Sequence, residues 1–191
     1  MNPKQWPSLL EAKDVLDRFL ADAHAQEQME VAARLMTACL KSGGTLISCG
    51  NGGSMADAMH FAEELSGRFR QHRSPMRAIS ISDPTYLTCV ANDYGYDAVF
   101  SRFVEGHGKR GDVLLAISTS GNSSNVVQAA EMAHKMGMHV VGLTGKTGGL
   151  LAPLCHAEVR APQTSFADRV QEIHIKVIHA WIEYLEDKLD K

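Results

Sequence analysis

The chain has 191 residues, 45% of them hydrophobic, and a formal net charge of -3. That length suits one compact domain with a substantial core, and the mildly acidic balance argues against a nucleic-acid surface that works by counterion release. No stretch approaches the roughly 20 apolar residues of a membrane-spanning helix, and Met1–Pro7 lacks the apolar segment of a secretory leader, so no membrane contact and a cytoplasmic location are expected.

Two helical patterns come first, over Ser8–Asp22 and Gln26–Lys41. In the second, Met29, Ala32, Ala33, Met36 and Leu40 recur at helical spacing until Gly43-Gly44 stops the run. Strands and helices then alternate. The sequence predicts a strand over Thr45–Cys49, a helix over Met55–Phe69, a strand over Arg77–Ile81 and a helix over Val99–Glu105. A strand over Val113–Ile117, a helix over Asn125–Met136 and strands over His139–Leu143 and Ala157–Arg160 follow, and a helix over Asp168–Leu189 closes the chain. Continuous apolar strands separated by helices indicate a parallel sheet covered on both faces. The expectation is a single α/β domain over residues 1–191, with N-terminal helices over 1–42 and an α/β core over 43–191. No linker, low-complexity tract or repeat divides it.

Val170, Ile173, Val177, Ile178, Trp181, Ile182, Leu185 and Leu189 give the last helix a broad apolar face, widened by Ile175 and Tyr184. Such breadth predicts that part of this helix packs on a second copy of the chain. Cys39, Cys49, Cys89 and Cys155 form no CxxC pair, so they read as small buried residues and not as a disulfide framework or a thiolate zinc site.

Several motif-like runs fail on inspection. Gly50-Asn51-Gly52-Gly53-Ser54-Met55 starts like a dinucleotide fingerprint, but Met55 stands where the third glycine is needed. Gly145-Lys146-Thr147 resembles the end of an NTPase phosphate loop, but Val140 occupies the position of its leading glycine. No Gly-x-Ser-x-Gly elbow follows a strand.

What remains is a pair of strand–loop–helix units. Cys49-Gly-Asn-Gly-Gly-Ser54 and Ser118-Thr-Ser-Gly-Asn-Ser123 each end an apolar run and open a helix. A helix start offers unpaired N–H groups and a partial positive charge, so a phosphate can bind there without a lysine. Both loops fall at carboxyl ends of strands, where open α/β sheets bind ligands. His60 and Glu64 follow the first loop, four residues and about 6 Å apart on one helix face. Such a pair can meet one metal ion or one substrate, or simply be a solvated face. On the last helix Asp168, Gln171, His174 and His179 are candidates, with His174 read as structural. His179 stands among Val177, Ile178, Trp181 and Ile182, where it is either a core imidazole bonded to a carbonyl or a site residue. Gln171 and His179 lie about 12 Å apart along a regular helix. If they serve one site, either two chains share it or the helix is irregular. Asn92-Asp93-Tyr94-Gly95 reads as a turn, with a substrate contact as the other reading.

These segments together resemble the phosphoheptose isomerases, the sedoheptulose 7-phosphate isomerases of the sugar-isomerase (SIS) fold family. The resemblance runs nearly the full length. It is carried by Cys49–Ser54, Asp57-Ala-Met-His-Phe-Ala-Glu-Glu-Leu65, Ala91-Asn-Asp93, Ile117–Ser123, Leu143-Thr-Gly-Lys146 and Asp168-Arg-Val-Gln-Glu-Ile-His174 with His179. The Gly/Ser loops point only to the broad fold family; the His60–Glu64 run with Gln171 and His179 is more specific. The resemblance implies a five-stranded parallel, flavodoxin-like sheet and a homotetramer with active sites between subunits. It implies conversion of sedoheptulose 7-phosphate to D-glycero-D-manno-heptose 7-phosphate, the first step toward the heptose of bacterial lipopolysaccharide. It also implies one zinc ion per site, held by His60, Glu64, Gln171 and His179. Substrate contacts map to Asn51, Gly52, Gly53, Glu64, Asn92, Asp93, Ser118, Thr119, Ser120, Ser123, Gln171 and Asp168.

On that resemblance the expected chemistry is proton transfer between C1 and C2 through an enediol, with Glu64 as the base and His179 as the acid for the oxygens. The rival readings are a non-catalytic SIS protein that binds the bacterial replication initiator, and a sugar-phosphate-sensing regulatory domain. Glu64 and His179 together favour the enzyme.

Overall fold

A computed structural model describes residues 6–189; residues 1–5, which the expectation about a leader mostly concerns, and 190–191 lie outside the described residues. Two helices open the chain, α1 (Pro7–Ala21) and α2 (Ala23–Lys41), and Asp22 joins them by accepting the Ala25 N–H through its side chain at 3.1 Å. Strand β1 (Leu46–Gly50) follows, then α3 (Gly53–Ser66), β2 (Ala78–Ser80), α4 (Pro84–Tyr94) and α5 (Val99–His107). The rest is β3 (Val113–Ser118), α6 (Ser124–Met136), β4 (His139–Thr144), β5 (Ala157–Arg160) and α7 (Ala167–Leu189).

All five strands are parallel, in the order β2-β1-β3-β4-β5. The order reverses between β1 and β3, so the crevice at their carboxyl ends is the switch point where such sheets bind ligands. Alternation along each strand builds two cores. Leu46, Val113, Leu115, Ile117, Val141 and Leu143 face α1, α2, α3 and α7. Ile47, Cys49, Leu114, Ala116 and Val140 face α4, α5 and α6. The five-stranded parallel sheet and the N-terminal helices are as the sequence indicates.

Two expectations change, and a third loses its stated ground. The segment around Asn92-Asp93 is no turn. Asp83 caps α4 by accepting the Tyr86 N–H at 2.7 Å, Pro84 presets the first turn, and the helix runs through Asn92 and Asp93 until Gly95 stops it with φ +88°. Helix α3 stops at Ser66, short of Phe69, with Gly67 donating its N–H to Glu63 O. The breadth of α7's apolar face needs no second copy to explain it. Val170, Ile173, Val177, Ile178, Trp181, Ile182 and Leu185 are buried within this chain, against α1, α2 and α3. Exposed apolar residues lie instead around α1, at Trp6, Leu9, Leu10 and Leu20. Among the described residues no helix is long and apolar enough to cross a membrane.

Candidate active site

Between β1 and α3 the chain turns through Asn51 and Gly52, whose φ of +55° favours glycine. No side chain caps α3, and with the Ser54, Met55 and Ala56 N–H groups taken by Asn51 O and Gly52 O, the Gly52 and Gly53 N–H groups are the ones left for a ligand. A Cβ on Gly53 would stand 2.5 Å from Gln171 Nε2, so glycine here is what lets the Gln171 amide lie on the start of α3. Asn51 and the buried Asn125 exchange two amide hydrogen bonds, each 2.9 Å, and the Tyr96 hydroxyl donates to Asn51 Oδ1 at 2.9 Å. The two Gly/Ser loops are thereby tied together across the switch point.

The second loop is braced from behind. Ser118 Oγ and Ser123 Oγ share a 2.9 Å hydrogen bond, and Ser120 Oγ accepts the Asn122 N–H at 3.1 Å. Gly121, at φ +68°, backs onto the Gly148 carbonyl so closely that any Cβ would overlap it. Leu151 N–H donates to Gly121 O at 2.9 Å and Leu150 N–H to Asn122 Oδ1 at 3.1 Å. Helix α6 also starts without a side-chain cap. The Val126 and Val127 N–H groups are taken by Ser123 O, so the Ser124 and Asn125 N–H groups, with the hydroxyls of the turn, are the donors able to receive an anion.

Helices α3 and α7 run side by side in the same direction, with Gly53 against Gln171 and His60 against His179. At the latter contact the two Nε2 atoms are 2.9 Å apart, and the rings meet edge to face with centroids 5.1 Å apart. Glu64 Oε1 lies 3.6 Å from His60 Nε2, on the same side, and Glu63 Oε1 lies 3.2 Å from His60 Nδ1. Phe69 stacks on His179 with centroids 5.7 Å apart. Burial, and next the nearby His60, hold the His179 imidazole below its usual range, while Glu64 pulls the other way. One turn earlier, Asp57 has a buried Oδ2 without a hydrogen-bond partner, and burial pushes its carboxyl up to about 6 against the opposing pull of His60.

His60, Glu64 and His179 thus converge within one chain. Gln171 does not join them: α7 is unbroken from Ala167 to Leu189, which removes an irregular helix as a way to bring Gln171 and His179 together. Asn92 and Asp93 are exposed and bond each other at 2.8 Å. Asp168 is exposed, and Arg169 occupies its carboxylate at 3.0 Å and holds it below its usual range. His174 is structural, fully buried, with Nε2 2.9 Å from Thr144 O. Sequence reasoning passed over Glu63 and Asp57. Both lie three residues from His60 on the same helix, a spacing that could have flagged them.

The SIS domain family model matches residues 9–145. A phosphoheptose isomerase of Aeromonas hydrophila is 55% identical over 183 residues, covering 96% of this chain and 95% of that protein. This chain belongs to the phosphoheptose isomerase family. Phosphoheptose isomerases are aldose–ketose isomerases, and the chain is an enzyme of that kind. A solved phosphoheptose isomerase from Neisseria gonorrhoeae aligns with a TM-score of 0.87 at 38% identity, covering 94% of this chain and 95% of that one. Another, from Francisella tularensis, gives 0.88 at 32% identity over 94% and 95% of the two chains. None of these three phosphoheptose isomerases is named as binding a replication initiator.

Proposed function

We propose that this single-domain chain isomerises sedoheptulose 7-phosphate to D-glycero-D-manno-heptose 7-phosphate in the cytoplasm, feeding heptose into lipopolysaccharide precursors. The observation that carries the site assignment is the meeting of His60, Glu64 and His179 at one point of the α3/α7 seam. Glu64 is the base that removes a proton from C1 and returns it to C2. His179 donates to and takes protons from the carbonyl and hydroxyl oxygens, a task suited to an imidazole held near or below its usual pKa. The hydroxyls of Ser118, Thr119, Ser120 and Ser123 and the N–H groups at the starts of α3 and α6 hold the phosphate. Asn51, Gly52, Gly53, Asn92, Asp93, Asp168 and Gln171 complete the substrate contacts. Glu64 adds the reactive carboxylate.

The donor set fits a zinc ion. Two imidazole nitrogens facing each other at 2.9 Å beside a carboxylate oxygen offer the mixed nitrogen and oxygen ligands zinc takes, and Glu63 adds a further carboxylate within reach. His60, Glu64 and His179 would hold it with Gln171, and zinc when bound supplies a Lewis acid that polarises the substrate carbonyl.

A second copy of the chain completes each site, in a homotetramer. Glu64 lies about 16 Å beyond Gly53 along α3, at roughly 1.5 Å per residue. That separation supports a reading in which the anion cradle of one chain serves the acid/base end of another. Along α7, Gln171 stands about 12 Å before His179, so a zinc ion held by both would take Gln171 from a second copy. An open groove of about 630 Å³ beside His60 and Glu63, with Met59 and Ile79 half exposed, offers a place for another subunit to cover.

The test is to incubate purified protein with sedoheptulose 7-phosphate and follow aldose formation. Turnover is expected, and Glu64→Gln or His179→Gln should reduce it by about 100- to 10,000-fold without loss of fold. Full activity in either variant contradicts the assignment.

A further inference from the structure

The irregular segment between α3 and β2, residues 67–77, crosses the α3/α7 seam and touches both proposed acid/base residues. Phe69 stacks on the His179 ring. Arg70 pairs with Glu183, and its N–H lies 3.4 Å from Glu186 Oε2. Arg73 turns inward. Its guanidinium and the Glu186 carboxylate form an ion pair at 2.9 Å, with side chains only 2% and 6% exposed, which excludes both from direct substrate contact.

Three of the four remaining Arg73 donors are committed as well. Nη2 donates to Glu64 O at 2.7 Å, and Nη1 donates to Leu65 O at 2.8 Å and to Ser74 O at 3.2 Å. Glu64 and Leu65 belong to the last turn of α3, whose carbonyls have no partner inside the helix. A planar, always charged fork suits this junction in a way a flexible ammonium does not. One side chain therefore caps the turn that carries Glu64 and anchors it to the helix that carries His179.

We propose that Arg73, paired with Glu186, is a positioning residue for the isomerisation: it fixes the last turn of α3 against α7 and so holds the Glu64 carboxylate opposite His179. The proposal rests on the assignment of Glu64 and His179 above. An error near 1 Å in the placement of a reacting group can cost about 100-fold in rate, whereas the phosphate cradle at the far end of the seam shares no contact with Arg73.

Removing one partner of a buried pair strands the other charge, so the informative variant is the double replacement Arg73→Met with Glu186→Leu, an apolar substitution that buried pairs often tolerate. With the fold intact by circular dichroism, kcat should fall about 10- to 100-fold while KM for sedoheptulose 7-phosphate stays within about threefold. A purely structural pair would leave kcat untouched in a folded double variant, and that result overturns the proposal. Should the double variant not fold, Arg73→Lys keeps the charge and loses the fork. A folded Arg73→Lys protein should show a smaller fall in kcat at unchanged KM, and parental kcat there overturns the proposal too. Glu64→Gln is measured alongside. If it is inactive while the Arg73 variants are fully active, only the positioning role fails; if it is active, the site assignment fails and the positioning role with it.

Discussion

The two ends of the α3/α7 seam are built from different materials. Where Gly53 meets Gln171, the groups on offer are backbone N–H, amides and the hydroxyls of the neighbouring loop, all held by a dense set of hydrogen bonds. Where His60 meets His179, they are imidazoles and carboxylates, braced by an aromatic ring and a buried ion pair. The first end offers neutral hydrogen-bond donors, which suit a negative charge. The second end can move protons but has no preformed cradle for phosphate. Each is half of what an isomerase of sugar phosphates needs, and their separation along one pair of helices is what the proposal of a site shared between chains rests on.

The largest effect that can break this division comes from mixing defects. Subunits inactivated at Glu64→Gln and subunits whose cradle is disrupted by Gly121→Val, mixed under conditions that exchange subunits, should regain activity that neither has alone. No recovery in demonstrably mixed assemblies would mean that each chain carries a complete site.

A second measurement addresses both ends at once, because His174 lies between Gln171 and His179 on α7 and ties that helix to Thr144 O. Burial lowers its pKa from 6.5 to about 4. An unfolded chain therefore binds this proton first. The stabilisation is fully present above pH 6.5 and is lost as the pH falls toward 4, by about 3 kcal/mol at most. Denaturant midpoints should decline over that window, and His174→Gln should flatten the decline.

The smallest effect sharpens the cradle alone. Gly121→Ala places a Cβ against Gly148 O at a positive φ and should destabilise the fold by about 1–3 kcal/mol. KM should rise more than kcat falls. A fall confined to kcat would indicate that the loop serves the chemistry and not the phosphate.

The fold was legible because its signals are local. Apolar strands of five or six residues break off at Gly50, Ser118 and Thr144-Gly145, and helices mostly begin and stop at Gly, Pro, Asp and Ser. Helix α4 shows where such a signal was present and outweighed: Asp83-Pro84 opens a helix that runs through Asn92-Asp93, a pair that reads as a turn by composition. The loops and the His60/Glu64 pair were legible for the same reason. The strap over residues 67–77 was not, since Arg73 finds Glu186 113 positions away and no spacing announces it. The face of α7 is a different case. Its apolar breadth is real, but three helices of its own chain cover it, and a sequence cannot say which neighbour buries a face.

The most direct check on the central claim is to run the isomerisation in D2O and read the sugar by NMR. Proton transfer by Glu64 predicts that C2 of the aldose formed by the parent enzyme carries either the hydrogen taken from C1 or, where the carboxyl exchanges with solvent first, deuterium, and that the C1 hydrogen is neither transferred nor exchanged in Glu64→Gln. Transfer or exchange that persists at the parental rate in Glu64→Gln would contradict the account.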